Sequence, residues 1–291
     1  MSAPITPYAG ASATALAAHY DLPTAFYALW LDRSLTYSCA LWDGAEDDLA
    51  SAQSRKIDYL IEQARAPHTG HVLDIGCGWG STLNRLVRHH HVQHATGLNL
   101  SPLQCHWVQQ QKIDGVTVLN ENWRDHHPTE PYDAIVSIGA FEHFARMGMS
   151  DAARLDAYRT FFAHCRTWLR PSGRLALQTI AWGPELPAGA HTFQNALIPE
   201  SVFRESSVPF LAEIEEAMDG LFRIVHMRND GDHYERTCSV WHRNLQDRRS
   251  EAVRLVGTEA VERYEQYLDL AARLFRRRWT TLLRLTLETR A

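Results

Sequence analysis

Glu142 stands in the run IGAFEHF, residues 138–144, where an apolar stretch that reads as the end of a buried strand delivers a carboxylate between two phenylalanines. A carboxylate among apolar groups loses hydration and needs a positive or hydrogen-bonding partner, unless it only marks an exposed strand end. Upstream, LDIGCGWG places Asp74 two residues ahead of Gly76, with Gly78 and Gly80 following. Glycines there allow a tight turn and let a ligand approach backbone where a Cβ would clash. A nicotinamide dinucleotide loop wants G-x-G-x-x-G, and its last position here is Ser81. The G-x-G-x-G spacing after an acid suits instead the amino-acid end of S-adenosylmethionine (SAM), which has no pyrophosphate. A dinucleotide site also uses an acid at the end of the second strand to hold ribose. Here GLNLSPLQ offers Asn99 and Gln104, neutral hydrogen-bond partners for a ribose; Asn99 taken alone reads equally as a plain strand end.

The elements that must position these residues follow from the apolar spacing. From residue 71, strand-like HVLDIG, HATGLNL, VTVLN, YDAIVSIGAF and RLALQTIAW alternate with helical STLNRLVRHH, SPLQCHWVQQQK and DAARLDAYRTFFAHCRTWLR. This βαβα rhythm predicts a mainly parallel sheet with helices on both faces. Ser101 fits a helix N-cap and Pro102 the first helical position. Residues 22–66 space apolar groups by three or four, as helices do, around a short extended piece, SLTYSC. Residues 183–212 break the rhythm with scattered proline and glycine, as an insertion near the carboxyl edge of the sheet would. LFRIVHMRND and YERTCSVWH then read as strands, roughly 251–277 as one long helix, and LLRLTLE as an alternating edge strand.

Composition narrows the function classes. The 291 residues carry a formal net charge of −5, which argues against nucleic acid as the main partner, since phosphate binding needs a basic footprint. The charge is uneven: from Trp241 onward it is +4, against −9 for the rest, and Arg276, Arg277 and Arg278 are its densest cluster. A solvated helix face explains that cluster more simply than a docking site for a lipid surface or an acidic carrier. The five cysteines, odd in number and without C-x-x-C spacing, fit a reducing cytoplasm. No apolar run of spanning length occurs and the first residues do not resemble a secretory signal. The histidines of RHHHVQH point in different directions from a helix end and make a poor metal set.

HYDLPTAFYALWLDRSLTYSCALWD, LDIGCGWG, GLNLSPLQ, SIGAFEHF and GDHYERT occur in the order seen in the cyclopropane fatty-acid synthases and mycolic-acid methyltransferases. The chain resembles that family over roughly residues 19–291, most weakly at 183–230. Its size is close to the single-domain mycolic-acid type rather than the longer phospholipid-acting type. The resemblance implies an α/β, Rossmann-like seven-stranded SAM-methyltransferase fold. One structural domain is expected, with an N-terminal helical cover over 1–66 and a methyltransferase region over 67–291 carrying a lid at about 183–220. It places Tyr37, Ser38, Gly76 and Gly78 around the methionine part of SAM, with Asp74 beside them. Asn99, Leu100 and Gln104 fall on the ribose and adenine side, Trp123 flanks the adenine, and Ile138 touches the cofactor. Asn99 departs from the threonine common in the family, and Arg124 stands where mycolic-acid enzymes can carry an acid.

Family members also hold a bicarbonate ion beside the reacting carbon, and the matching residues here are Cys39, Glu142, Gln178, Ile180 and Tyr234. Gln178 replaces a histidine. It cannot titrate, although its amide still donates hydrogen bonds, so bicarbonate, a water, or Glu142 or Tyr234 acting directly as base all remain open. The implied activity is methyl transfer to an unsaturated carbon of an apolar small molecule or acyl chain through a carbocation. The alternatives are N- or O-methylation on the same fold, and a SAM sensor without catalysis. A nicotinamide oxidoreductase is disfavoured by Ser81. The substrate, the product and any homo-oligomer are left open.

Overall fold

The computed structural model describes residues 10, 22–189 and 206–290. Most of the Ala-rich start, His19–Asp21 of the first motif and the centre of the 183–220 segment lie outside the described residues. Seven strands form one sheet in the order β3-β2-β1-β4-β5-β7-β6: β1 (His71–Ile75), β2 (His94–Asn99), β3 (Val116–Asn120), β4 (Tyr132–Ile138), β5 (Leu169–Trp182), β6 (Phe222–Asn229) and β7 (Thr280–Thr289). The first five are mutually parallel, and β7 runs antiparallel to both β5 and β6. The chain winds outward from β1 to β3, then returns to place β4 on the other side of β1. That reversal opens a crevice at the carboxyl ends of β1 and β4, where open α/β sheets bind ligands.

The helices are α1 (Thr24–Tyr27), α2 (Leu49–Gln63), α3 (Ser81–Arg88), α4 (Pro102–Gln110), α5 (Asp151–Trp168), α6 (Leu211–Met218), α7 (Gly231–Asp247), α8 (Arg249–Val256) and α9 (Thr258–Arg276). Ser101 caps α4 by accepting from the Gln104 amide, with Pro102 in its first turn, as the sequence predicts. On one sheet face α5 packs Phe161 and Phe162 against Phe141, Ile135 and Leu175; on the other, α2 and α3 bury Ile57, Leu60, Leu83 and Leu86 against Val72 and Ala134. A separate aromatic cluster joins Phe26, Tyr27 and Trp30 to Trp241 and Tyr264 of the C-terminal helices. Among the described residues no helix is long and apolar enough to cross a membrane.

Three expectations are corrected. YERTCSVWH is not a strand but the first half of α7. Its buried residues Tyr234, Thr237, Cys238, Trp241 and Leu245 repeat at three to four, and this helical stripe overrides the β-favouring composition. The helix expected over 251–277 is two helices, parted at Gly257 with φ +82°. The closing strand is not at an edge: β7 lies between β5 and β6 and every one of its ten residues is buried. Two-sided burial explains why polar Thr281, Arg284, Thr286 and Glu288 there are each tied to partners rather than to water.

Candidate active site

Gly76, Gly78 and Gly80, in the turn after β1, all have positive φ, the region that glycine enters without cost. At Gly76 a Cβ would sit 2.5 Å from the Ala140 Cβ in the turn after β4, so the two strand ends close on each other only through a glycine. At Gly78 a Cβ would meet nothing within 4 Å. Gly78 itself lines one cavity, together with Tyr37, Ser38, Asp74, Gly76, Asn99, Leu100, Gln104, Trp123 and Ile138. All ten residues proposed for the cofactor therefore meet at a single place, the crevice predicted from strand order.

Asn99 does more than end β2. Its amide donates to the Gly78 carbonyl at 3.1 Å and to Gln104 Oε1 at 2.9 Å, which ties the glycine turn to the start of α4. Trp123 is buried edge-on to Phe161, with Arg124 stacked over its ring, and its indole N–H has no acceptor among the described residues.

Sequence reasoning missed several cavity residues. Glu121, just past β3, brings a carboxylate to the wall although the second strand lacks one. His143, next to Glu142, also lines it, and burial pushes its imidazole down to about 4. Lys56 reaches the wall from α2, 1% exposed, and donates to Ser38 Oγ at 2.7 Å. Its position was readable: on α2 it lies four residues from both Ala52 and Leu60, on the buried stripe.

The five residues proposed for chemistry do not line that cavity. Two of them adjoin its wall in the chain: Cys39 directly follows Ser38, and Glu142 directly precedes His143. Glu142 is 7% exposed, and one carboxylate oxygen accepts from the Ile180 amide at 2.5 Å. Its other oxygen, Oε2, is buried with no partner among the described residues. Burial pushes its acid up to about 7, against the opposing pull of the Ile180 amide. Gln178 and Cys39 converge on a residue that no motif or spacing singles out. The Arg284 side chain, 0% exposed, donates from Nε to Gln178 Oε1 at 2.8 Å. It also donates to the carbonyls of Cys39 at 3.2 Å and Ala40 at 3.0 Å, and pairs with Asp230. Burial pushes the Cys39 thiol up to about 11 and the Tyr234 phenol well above its usual value, so both stay protonated at neutral pH. Tyr234 packs on Phe275 with ring centres 4.6 Å apart.

This architecture recurs in solved proteins. Mycolic acid cyclopropane synthase CmaA1 complexed with SAH and CTAB superposes with a TM-score of 0.85 at 31% identity, covering 96% of this chain and 99% of that one. The cyclopropane synthase MmaA2 from Mycobacterium tuberculosis gives 0.86 at 32% identity, covering 98% and 100%. With its seven-stranded sheet and glycine-turn crevice, the chain is a SAM-dependent methyltransferase, and SAM is its co-substrate. The match is closer than the general fold. The family described as mycolic acid cyclopropane synthetase matches residues 10–285. The cyclopropane mycolic acid synthase MmaA2 of Mycobacterium tuberculosis is 35% identical over 274 residues, 89% of this chain and 91% of that protein. The chain belongs to the mycolic acid cyclopropane synthetase family.

Proposed function

We propose that the enzyme transfers the SAM methyl group to one carbon of an isolated double bond in an apolar substrate, an acyl chain or a smaller specialised metabolite. The names of its relatives, and the single-chain detergent CTAB held by one of them, support an extended apolar substrate. The observation that carries the reading is Glu142, a buried carboxyl with one oxygen fixed on the Ile180 amide and the other unpaired, beside the cofactor cavity.

The alkene π pair forms the new carbon–carbon bond as the methyl–sulfur bond breaks, its electrons returning to sulfur. Positive charge then rests on the neighbouring substrate carbon. Ionised Glu142 and the aromatic faces of Tyr234 and Phe275 stabilise that charge, and a well-placed group of this kind contributes ~3 kcal/mol. Glu142 Oε2 takes the proton. If it leaves the new methyl, the freed C–H pair closes a cyclopropane; if it leaves the adjacent chain carbon, an alkene is restored. Gln178 cannot accept it, and burial keeps Tyr234 a phenol. The bicarbonate implied by the family suits the same atoms. Cys39, the Gln178 NH2, the Tyr234 hydroxyl and Glu142 Oε2 would hold it, and when bound it would supply a further basic oxygen. Five free, buried cysteines support a reducing, cytoplasmic setting.

Incubation with methyl-13C SAM and a cis-unsaturated acyl substrate, followed by NMR of the product, tests this reading. A labelled carbon bonded to chain carbon is expected, as ring or branch. Label recovered only on nitrogen or oxygen of accepted substrates overturns it.

A further inference from the structure

Among the described residues, Lys56 is the one buried ammonium in the cavity wall that the methyl-transfer scheme leaves without a task. Its only hydrogen-bond partner among the described residues is the neutral Ser38 hydroxyl, and no carboxylate there lies within ion-pair distance. Asp74, which lines the same cavity, is 1% exposed, and its Oδ2 is buried without a partner among the described residues. Two opposite charges thus line one space without touching. A buried charge costs several kcal/mol unless it is paired, roughly what a missing partner would return. A group that satisfies both carries a carboxylate and an ammonium, as the amino-acid end of SAM does.

We propose that Lys56 is the receptor for the carboxylate of the amino-acid end of SAM, with Asp74 facing its ammonium. The proposal rests on the reading of this cavity as the cofactor site. Ser38 holds the Lys56 ammonium in place, and Gln53, one turn earlier on α2, donates to the Thr36 and Ser38 carbonyls and anchors the segment that carries that hydroxyl. Burial and the Arg284 cation push Lys56 down to about 7, against the opposing pulls of Cys39, Asp32 and Asp74. At pH 8 it is then largely neutral, and an arriving carboxylate draws a proton back onto it. Asp74, raised to about 7 by burial against the pull of Lys56, is already ionised at pH 8 and releases little.

Calorimetry with SAM and with decarboxylated SAM, which keeps the ammonium and the sulfonium but lacks the carboxylate, tests this on the whole chain. Wild type is expected to bind SAM 10- to 100-fold more tightly than the decarboxylated form. Lys56→Met should remove that preference, weakening SAM by the same factor and the decarboxylated form by less than about threefold. At pH 8, SAM binding to wild type should take up close to one proton, read from the dependence of heat on buffer ionisation. Equal weakening of both ligands in Lys56→Met assigns Lys56 a structural role and overturns the proposal. So does a wild type that binds both ligands alike without proton uptake, a result that needs no variant to fold. Failure of wild type to bind either ligand would overturn the cofactor site itself.

Discussion

Glu142 sits where its acid is raised from the ordinary carboxylate range to about 7, chiefly by burial. As a base it must be ionised, so turnover should rise with pH through about 7 and level off above it. Glu142→Gln keeps an oxygen for the Ile180 amide but cannot take a proton, and turnover should fall 10²–10⁴-fold while SAH affinity stays within about twofold. The fold experiences the opposite sign. A carboxyl whose folded value is raised contributes stability fully present below its unfolded value and lost as pH rises through the folded one. At pH 8 ionised Glu142 therefore costs the fold on the order of 3 kcal/mol, and Glu142→Gln should melt several degrees higher than wild type there but not at pH 5. Equal melting differences at both values would contradict this. Glu142 was visible in sequence because a carboxylate between phenylalanines conflicts with its surroundings. Lys56 was not selected, because a lysine on an amphipathic helix reads as solvated unless its place on the apolar stripe is counted.

At the scale of elements, periodicity was legible wherever one local pattern decided the outcome. β1 to β5 and their intervening helices fall where alternating apolar runs and the Ser101–Pro102 start place them. Two readings went wrong: in α7 a β-favouring composition masked the three-to-four stripe that packs Trp241 against Trp30, and β7, a strand as expected, lies between two strands instead of at an edge. The glycine turn after β1 separates two roles that sequence alone merges. Gly76→Ala combines an unfavourable φ with a Cβ that meets Ala140, and should cost roughly 2–4 kcal/mol of stability. Gly78→Ala has the unfavourable φ but no clash, and should cost about 1 kcal/mol. Gly78 lines the cavity, so a methyl there should lower SAH affinity at least tenfold in a protein that melts only a few degrees lower. Denaturant titration beside SAH calorimetry separates the two. Equal stability loss, or unchanged SAH affinity in Gly78→Ala, would show that the turn does not cradle the ligand.

Across the whole molecule, Arg284 joins parts of the chain that no local pattern connects: the Cys39–Ala40 segment, Gln178 of β5 and Asp230 at the start of α7. β5 and β7 pair Gln178 directly with Arg284, and this register exists only because β7 inserts beside β5 instead of closing the sheet edge. Burial works against the charge on Asp230, yet the Arg228 and Arg284 guanidiniums hold it below the ordinary carboxylate range. A buried ion pair is weak evidence of net stabilisation, but removing one partner leaves the other charge stranded. Arg284→Met should therefore cost on the order of 3 kcal/mol in urea unfolding, tempered by the Arg228 pair that Asp230 retains. Adding Asp230→Asn removes the stranded charge, so the double variant should lose less than the sum of the two single losses, with a coupling of about 1–3 kcal/mol. Turnover should fall in both Arg284 variants while SAH still binds, because the guanidinium orients Gln178 and Cys39 and does not line the cofactor cavity. Strictly additive losses would mean that Arg284 and Asp230 are energetically independent, and unchanged turnover in Arg284→Met would mean that Gln178 is aligned by packing alone.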